Sequence, residues 1–270
     1  MRRLLRHRLL PGAVLVLGLL VTWQAWLSER RFSERELHAE FDARVLDGTN
    51  RVQLRMDSYQ QVLRGVAGLL IADDKVNREA FRAYVKALGL AERFPGIQGV
   101  GFNVLVPASQ RQAHVQSVRQ TGVADYDIRP AGERDPYTAI VFIEPFEGRN
   151  LRALGFDTYS EPIRREAMDR AWRSGQGALT GRLTLVQEGT TDVQAGVLMF
   201  LPLYATGAAP DAARPEAPAK PSDAALRGWI SGVFRMNDLM AGILGTRQDD
   251  VGLHIYDGEL QAPAQLLYAS

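Results

Sequence analysis

The side chains able to carry acid–base or metal chemistry form no convergent set in this 270-residue sequence. There is no cysteine, which excludes disulfides, thiolate nucleophiles and cysteine-type metal sites. The histidines are far apart, and a catalytic or metal site would need several of them to converge in space. We therefore predict no catalytic centre, metal site or cofactor. We interpret the four histidines as isolated residues: His7, His38, His114 and His254.

Three acidic residues, Glu144, Glu147 and Asp157, lie near one another in the sequence. Paired carboxylates serve acid–base catalysis, but this spacing brings no two of them together. We interpret them as parts of a solvated loop. The formal net charge of +1 provides no general field for nucleic acid, and we predict no nucleic-acid partner.

The N-terminus has the pattern of a membrane anchor. Residues 1–8 contain four arginines, and residues 9–27 contain no charged residue, which is close to the 20 or so apolar residues that span a bilayer. We predict a transmembrane helix at 9–27, with 1–8 in the cytoplasm by the positive-inside rule. The alternative is a cleaved signal peptide, but Trp23 and Trp26 stand where cleavage prefers small residues. Both interpretations send the remaining chain across the membrane.

Residues 28–75 are predicted to form a helical stalk, because they are rich in Glu, Arg, Leu and Gln and contain no proline. Asp47-Gly48-Thr49-Asn50 is expected to weaken its middle. The stalk either packs on its own domain or pairs with a second copy of the chain, and its place after an anchor favours a homodimer. The apolar residues that recur at helical spacing are Phe32, Leu37, Phe41 and Val45, then Val52, Met56, Tyr59, Leu63, Val66 and Leu70.

The remaining sequence predicts an α+β fold, an antiparallel sheet with flanking helices in the outline of a PAS-like sensor. We assign one lobe to 76–205, an Ala/Pro-rich linker or loop to 206–224, and the start of a second, incomplete PAS-like lobe to 225–270. Within the first lobe we expect helices at 77–92, 107–121 and 161–175, and strands at 97–106, 126–129, 138–146, 181–187 and 195–204.

Several segments in the same order resemble the CHASE domain, the extracellular sensing module of plant cytokinin receptors and of many bacterial histidine kinases and cyclic-di-GMP enzymes. They are RFPGIQGVGF, the run from RPAGERDPY to RLTLVQ, and AGVLMFLPLY. The resemblance covers roughly residues 60 to 260. It implies a stalk helix followed by two PAS-like lobes, a membrane-distal lobe that holds the ligand and a membrane-proximal one. It also places the chain in a bacterial inner membrane, with the sensor in the periplasm.

The resemblance also implies a ligand anchor. Arg134-Asp135-Pro136-Tyr137 matches a family motif whose aspartate hydrogen-bonds an adenine-type ring, so Asp135 is the implied anchor. A carboxylate accepts strong, charge-assisted bonds from a heterocycle. The alternative is that Asp135 caps a turn before Pro136.

Four further residues are implied to lie in the ligand pocket. Thr180 matches a threonine of the cytokinin receptors, although threonine is also common at strand edges. Phe142, Leu183 and Gly196 lie on strands that would line the pocket, and packing in the core would explain them equally well.

We therefore expect a small-molecule sensor whose ligand acts through dimeric stalk helices on a cytoplasmic output domain. The resemblance to cytokinin receptors implies a planar heterocycle as the ligand. A second apolar run and a kinase or cyclase motif are missing, so we expect the N-terminal portion of a longer receptor or, alternatively, a shortened protein. The competing functions are a membrane-anchored interaction module that binds no small ligand and a periplasmic enzyme.

Overall fold

The computed structural model describes residues 2–188, 193–205, 226–245 and 252–270; within the first helix, the side chains of 2–13, 31 and 33–35 lie outside this description. The chain separates into two compact units, Met1–Gln53 and Leu54–Ser270. The predicted linker, 206–224, lies outside the described residues.

The first helix, α1 (Arg2–Ala72), is continuous. The predicted weak point at 47–50 does not interrupt it. Asp47 pairs with Arg51 one turn later, and the Thr49 hydroxyl donates to the Val45 carbonyl at 2.8 Å, so both polar side chains are satisfied within the helix. The predicted stalk is thus helical as far as Ala72.

The second unit is built on a five-stranded antiparallel sheet in the order β2-β1-β5-β4-β3. This arrangement confirms the predicted α+β class. The strands are β1 (Ile97–Val106), β2 (Tyr137–Glu144), β3 (Ala178–Leu179), β4 (Gly196–Tyr204) and β5 (Leu226–Arg235). The helices are α2 (Arg78–Leu88), α3 (Leu90–Arg93), α4 (Arg111–Gln120), α5 (Pro162–Ser174) and α6 (Met236–Leu244).

The two faces of this sheet carry different partners. Side chains alternate between faces along a strand. On β5, Phe234 contacts Tyr59 of α1 at 4.8 Å between ring centroids, whereas Trp229 donates its indole N–H to the Met168 carbonyl of α5 at 3.1 Å. We call these the α1 face and the α5 face. The last five turns of α1, from Leu54, thus pack on one face of the sheet, and α5 packs on the opposite face.

The prediction that 225–270 begins a separate lobe is wrong for its first strand. β5 lies at the centre of the sheet, paired with β1 on one side and β4 on the other. Nine of its ten residues are buried, as expected for a central strand covered on both faces. The neighbours of this strand could not be predicted from the sequence, because pairing partners leave no local pattern. Among the described residues, β6 (His254–Tyr256) and β7 (Leu266–Ala269) form a second, two-stranded sheet.

Two predicted strands are absent from the described residues. Residues 126–129 make a single bridge, Arg129 with Phe156, and residues 181–187 make another, Leu183 with Gly196. Both segments contain buried apolar residues, since Tyr126 and Ile128 in the first and Leu185 in the second are nearly inaccessible. Burial rather than pairing explains their composition.

Among the residues that the structure describes, no helix has an apolar stretch of the length and hydropathy needed to cross a membrane. The predicted span, 9–27, starts with five residues whose side chains lie outside the description. The anchor therefore stays a prediction from the sequence.

Candidate functional site

A buried polar network lies on the α5 face, where β2 meets the segment before α5. Its centre is Asp157, which is 0% exposed. One carboxylate oxygen of Asp157 accepts the Nε–H of Arg134 at 2.7 Å, and the other accepts the amide of Thr138 at 2.9 Å and its hydroxyl at 3.2 Å. Each hydrogen bond to a charged acceptor in this dry setting is strong. The carboxylate therefore fixes both the start of β2 and the loop that carries Arg134.

The same network continues across the sheet to β1 and β5. Thr158 donates its hydroxyl to the Asn103 side-chain oxygen at 3.1 Å. The Asn103 amide group then donates to the Ser231 hydroxyl at 2.9 Å and to the Trp229 carbonyl at 3.1 Å. Because buried polar groups need partners, this chain of bonds ties the loop at 157–160 to three strands.

An apolar layer adjoins the polar network beneath α5. Its members come from one face of α5, from the α5 face of the sheet and from the segment that follows β3, and all are buried. Tyr159 joins the two regions, since its ring stacks on Trp229 at 6.3 Å and its hydroxyl donates to Asp169 at 2.5 Å. The layer contains Ala167, Met168, Ala171, Trp172, Ala178, Leu183, Leu185, Leu198, Phe200, Leu226, Trp229 and Val233. Apolar surroundings with a few fixed polar groups are typical of small-molecule sites.

The segment 181–188, which we call the strap, closes the edge of this layer beside β4. Three arginines from different elements hold it. Arg164 of α5 donates to the Thr184 carbonyl at 3.2 Å, and Arg152 donates to the Glu188 carbonyl at 3.1 Å. Arg235, at the end of β5, donates to the Glu188 carboxylate at 2.8 Å. Side chains thus satisfy carbonyls that strand pairing would satisfy in an ordinary sheet.

Three of the predicted site residues lie together at the β3–β4 edge. The Thr180 hydroxyl accepts the Leu198 amide at 2.9 Å, and its own amide donates to the Leu198 carbonyl at 2.8 Å. Leu183 bridges Gly196 and packs in the apolar layer. A side chain at Gly196 would overlap Leu185, so the glycine allows the strap to lie against β4. These three residues border the apolar layer.

The other two predicted site residues, Phe142 and Asp135, do not lie at the β3–β4 edge. Phe142 stacks on Phe81 of α2 at 5.1 Å and contacts Phe102, on the α1 face. Asp135 is exposed, and its carboxylate accepts the Ala108 amide at 3.0 Å. Asp135 therefore caps a turn, but a turn 27 residues away along the chain rather than its own.

The interpretation of the acidic group as a solvated loop is wrong for two of its members. Asp157 belongs to the polar network, and Glu144 is 5% exposed on the α1 face. The Glu144 carboxylate accepts the Arg82 Nε–H at 3.2 Å and the Phe146 amide at 3.0 Å. Only Glu147 is exposed as expected. Loop position alone did not reveal that arginines and backbone amides compensate the other two charges.

Burial shifts several pKa values in the second unit. Desolvation lowers the pKa of Arg164, an effect that nearby Glu161 partly opposes. Desolvation and the hydrogen bond to Asp169 raise the pKa of Tyr159. Desolvation also raises the pKa of Tyr126 and lowers that of His114, whose Nε2 lies 3.0 Å from the Tyr126 hydroxyl. Both tyrosines therefore stay protonated and His114 stays neutral near pH 7.

The sequence interpretation missed Asp157 and Arg164 as site residues. Arg164 could have been found from helical periodicity. The other buried residues of α5 follow it at three, four, seven and eight positions, so Arg164 lies on the same face. Asp157 lies between the aromatic residues Phe156 and Tyr159 but has no comparable periodic pattern. Its role depends on Arg134 and Thr138, 23 and 19 residues away.

Comparison with known proteins finds a matching family and similar solved structures. The CHASE domain model matches residues 74–268. No curated protein matches the sequence. The ligand-binding domain of the amino acid chemoreceptor PctC from Pseudomonas aeruginosa PAO1, solved with GABA, is similar at 11% identity and a TM-score of 0.42, covering 76% of this chain and 67% of that one. The family match spans most of the second unit and includes the strap, α5 and the polar network, so this chain belongs to the CHASE domain family of sensors.

Proposed function

We propose that this chain is the small-molecule sensor of a membrane receptor and that its ligand binds on the α5 face of the sheet. The observation that best supports this proposal is the layered arrangement beneath α5. A satisfied polar network around Asp157 adjoins an apolar layer, and the strap covers the edge of that layer through side-chain bonds. Such a layer can open for a ligand without breaking the main strand ladder.

The opposite face of the sheet offers a route for the signal. Tyr59 of α1 donates its hydroxyl to the Pro95 carbonyl and packs against Phe234 of β5. The Leu63 side chain lies near Gly232, since a methyl group on this glycine would be 3.4 Å from it, in ordinary van der Waals contact. A ligand that favours one arrangement of the sheet would therefore favour one position of α1, by its differential affinity for the two states.

Asp135 remains the proposed anchor for a heterocyclic ligand, whereas Thr180, Leu183 and Gly196 lie apart from it and border the apolar layer. Asp135 lies next to Arg134, the residue that holds its loop to Asp157. Its second carboxylate oxygen and exposed position leave it accessible to an incoming N–H donor. Phe142 would act indirectly, through β2, because it packs against α2.

A thermal-shift screen of the purified full chain tests this proposal. Adenine derivatives, other purines, amino acids and small carboxylates are added separately. A ligand at 100 times its dissociation constant adds about 2.7 kcal/mol, which corresponds to a rise of roughly 5 °C for a domain of this size. If no compound raises the melting temperature, the sensor proposal fails and an interaction module is favoured.

Variants locate the responding site. For a heterocyclic ligand, Asp135→Ala should abolish the rise, whereas Asp125→Ala, in an exposed turn ten positions earlier, should leave it unchanged. A full rise in Asp135→Ala would exclude Asp135 as the anchor while leaving the sensor function intact.

We further propose that the chain is anchored by residues 9–27 and pairs with a second copy through the stalk, with a cytoplasmic kinase or cyclase output. Apolar residues along α1 support the pairing, because Phe32, Leu37 and Phe41 are more than half exposed. Sedimentation of the detergent-solubilised chain should show a dimer. Phe41→Glu should shift it towards monomer and Asp42→Asn should not; a monomeric wild type would overturn the pairing.

A further inference from the structure

The guanidinium of Arg164 is buried and has no carboxylate within hydrogen-bond distance among the described residues. Arg164 is 5% exposed, and its guanidinium lies 5.0 Å above the Phe156 ring. Its one hydrogen bond among the described residues goes to a neutral acceptor, the Thr184 carbonyl at 3.2 Å. A buried charge ordinarily has a close counter-ion, because the interior solvates it poorly. Arg164 therefore has unused capacity for an anion.

The nearest carboxylate does not fill this capacity. The closest oxygen of Glu161 lies 3.9 Å from the guanidinium. Both oxygens of Glu161 already accept amides at the start of α5, from Ile163 at 3.2 Å and from Arg164 itself at 3.0 Å. Moving Glu161 onto the guanidinium would remove the side-chain cap that stabilises the start of α5. Burial also lowers the pKa of Arg164, which agrees with incomplete compensation.

The surroundings of Arg164 suggest the rest of the ligand. Along α5, the same helix face continues with Ala167, Met168 and Ala171, which belong to the apolar layer. Across from them lie Leu183 and Leu185 of the strap. A guanidinium at the end of an apolar layer fits a molecule with an acidic head and an apolar body.

We propose that Arg164 recognises a carboxylate, and that the sensor's ligand is a small carboxylic acid with an apolar body lying between α5 and the strap. The inference rests on the proposed sensor function and names its ligand class. A carboxylate accepts two parallel N–H bonds from the planar guanidinium and is a stronger acceptor than a carbonyl. It would take the place of the Thr184 carbonyl.

This replacement would remove one of the contacts that hold the strap against α5. With the Thr184 carbonyl released, the strap is still held by Arg152 and Arg235 at one end, by the bridge of Leu183 with Gly196 along β4, and by the small sheet at the other end. There, the Arg182 amide donates to Asp257 at 2.7 Å and the Arg182 side chain donates to the Leu266 carbonyl at 3.1 Å. Movement of the strap would thus reach the β6–β7 sheet directly.

The experiment compares matched probes on the full chain by calorimetry and thermal shift. Benzoate and phenylacetate carry a carboxylate on an apolar body, and benzamide and phenylacetamide have nearly the same shape without the charge. We expect at least one acid to bind, with its amide at least tenfold weaker. Equal binding of acid and amide, or binding of neither acid, overturns the inference.

Variants assign the binding to Arg164. Arg164→Gln should weaken the acid at least tenfold, and Arg164→Lys should weaken it less because the charge remains. Arg170→Gln, on the exposed face of the same helix, should bind as the wild type does. Unchanged affinity in Arg164→Gln overturns the inference.

Two further readouts keep the test decisive. If Arg164→Gln does not fold, the Arg164 Nε–H resonance of the wild type must shift on adding the acid, and an unshifted resonance overturns the inference. If a neutral compound of the wider screen stabilises the chain while both acids do not, the ligand class is wrong and the sensor function stands.

Discussion

The Nε of Arg134 and the Oδ2 of Asp157 are 2.7 Å apart, although 22 residues of loop and strand separate them in the chain. Arg134 retains partial access to solvent, with a side chain 27% exposed, whereas Asp157 has none. The pair therefore connects the loop surface to the buried polar network. The loop that it holds also carries Asp135, so the position of the proposed anchor depends on a residue that contacts no solvent.

Asp157→Asn should destabilise the second unit by about 3 kcal/mol. The amide group would face the Arg134 and Thr138 donors with one acceptor in place of two, and removing one member of a buried pair leaves the other uncompensated. Urea denaturation of the full chain measures the loss. Glu166→Gln, which removes an exposed ion pair on α5, should change stability by less than about 0.5 kcal/mol. Equal effects of the two would contradict a structural role for the network.

Two glycine-to-alanine changes should act in opposite directions. Gly228 has φ +149°, and a side chain there would overlap the Asn103 carbonyl, so Gly228→Ala should push β5 from β1 and cost about 3 kcal/mol or more. Gly68 is exposed in α1 with nothing within 4 Å of the position that a Cβ would take, so Gly68→Ala should add about 0.5–1 kcal/mol. Thermal denaturation reports both. A tolerated Gly228→Ala would argue against the central position of β5.

Stability should fall at mildly acidic pH because of His114. Burial lowers its pKa below the ordinary value of 6.5, so the unfolded chain takes up the proton more readily than the folded chain. The contribution is complete above about pH 6.5 and is lost as the pH falls towards the folded pKa. Unfolding at pH 7.5 and 5.5 should show a smaller pH-dependent loss in His114→Gln than in the wild type.

The exposed His254 provides the control for that comparison. His254→Gln should lose as much stability between the two pH values as the wild type, since the buried His114 is present in both proteins. The assignment to His114 would be rejected if the two histidine variants behaved alike.

Arg235→Met should cost about 3–5 kcal/mol, because it leaves the Glu188 carboxylate, 2% exposed, without its cation. Adding Glu188→Gln should recover part of this loss, so the double variant should be more stable than Arg235→Met alone. Urea denaturation of both singles and the double gives the coupling free energy. Strictly additive losses would show that the pair does not hold the strap.

The sequence alone predicts much of the fold. Helical spacing marks α1, α2 and α5, and β-branched runs mark β1, β2 and β4 within one or two residues of their ends. The family resemblance identifies the sensor class through several ordered segments. Of the predicted site residues, Thr180, Leu183 and Gly196 lie together because they share one short stretch of chain and its neighbouring strand.

The tertiary structure decides the rest. Residues 226–235 are readable as a strand, but their place between β1 and β4 depends on long-range pairing. Likewise, Asp157 is loop-like in sequence and acquires its role only where Arg134 and Thr138 surround it. Periodicity records which side of an element is buried, because that is a local property of each residue. Which distant groups meet there, and whether a charge finds its partner, is set by the packing of the whole chain.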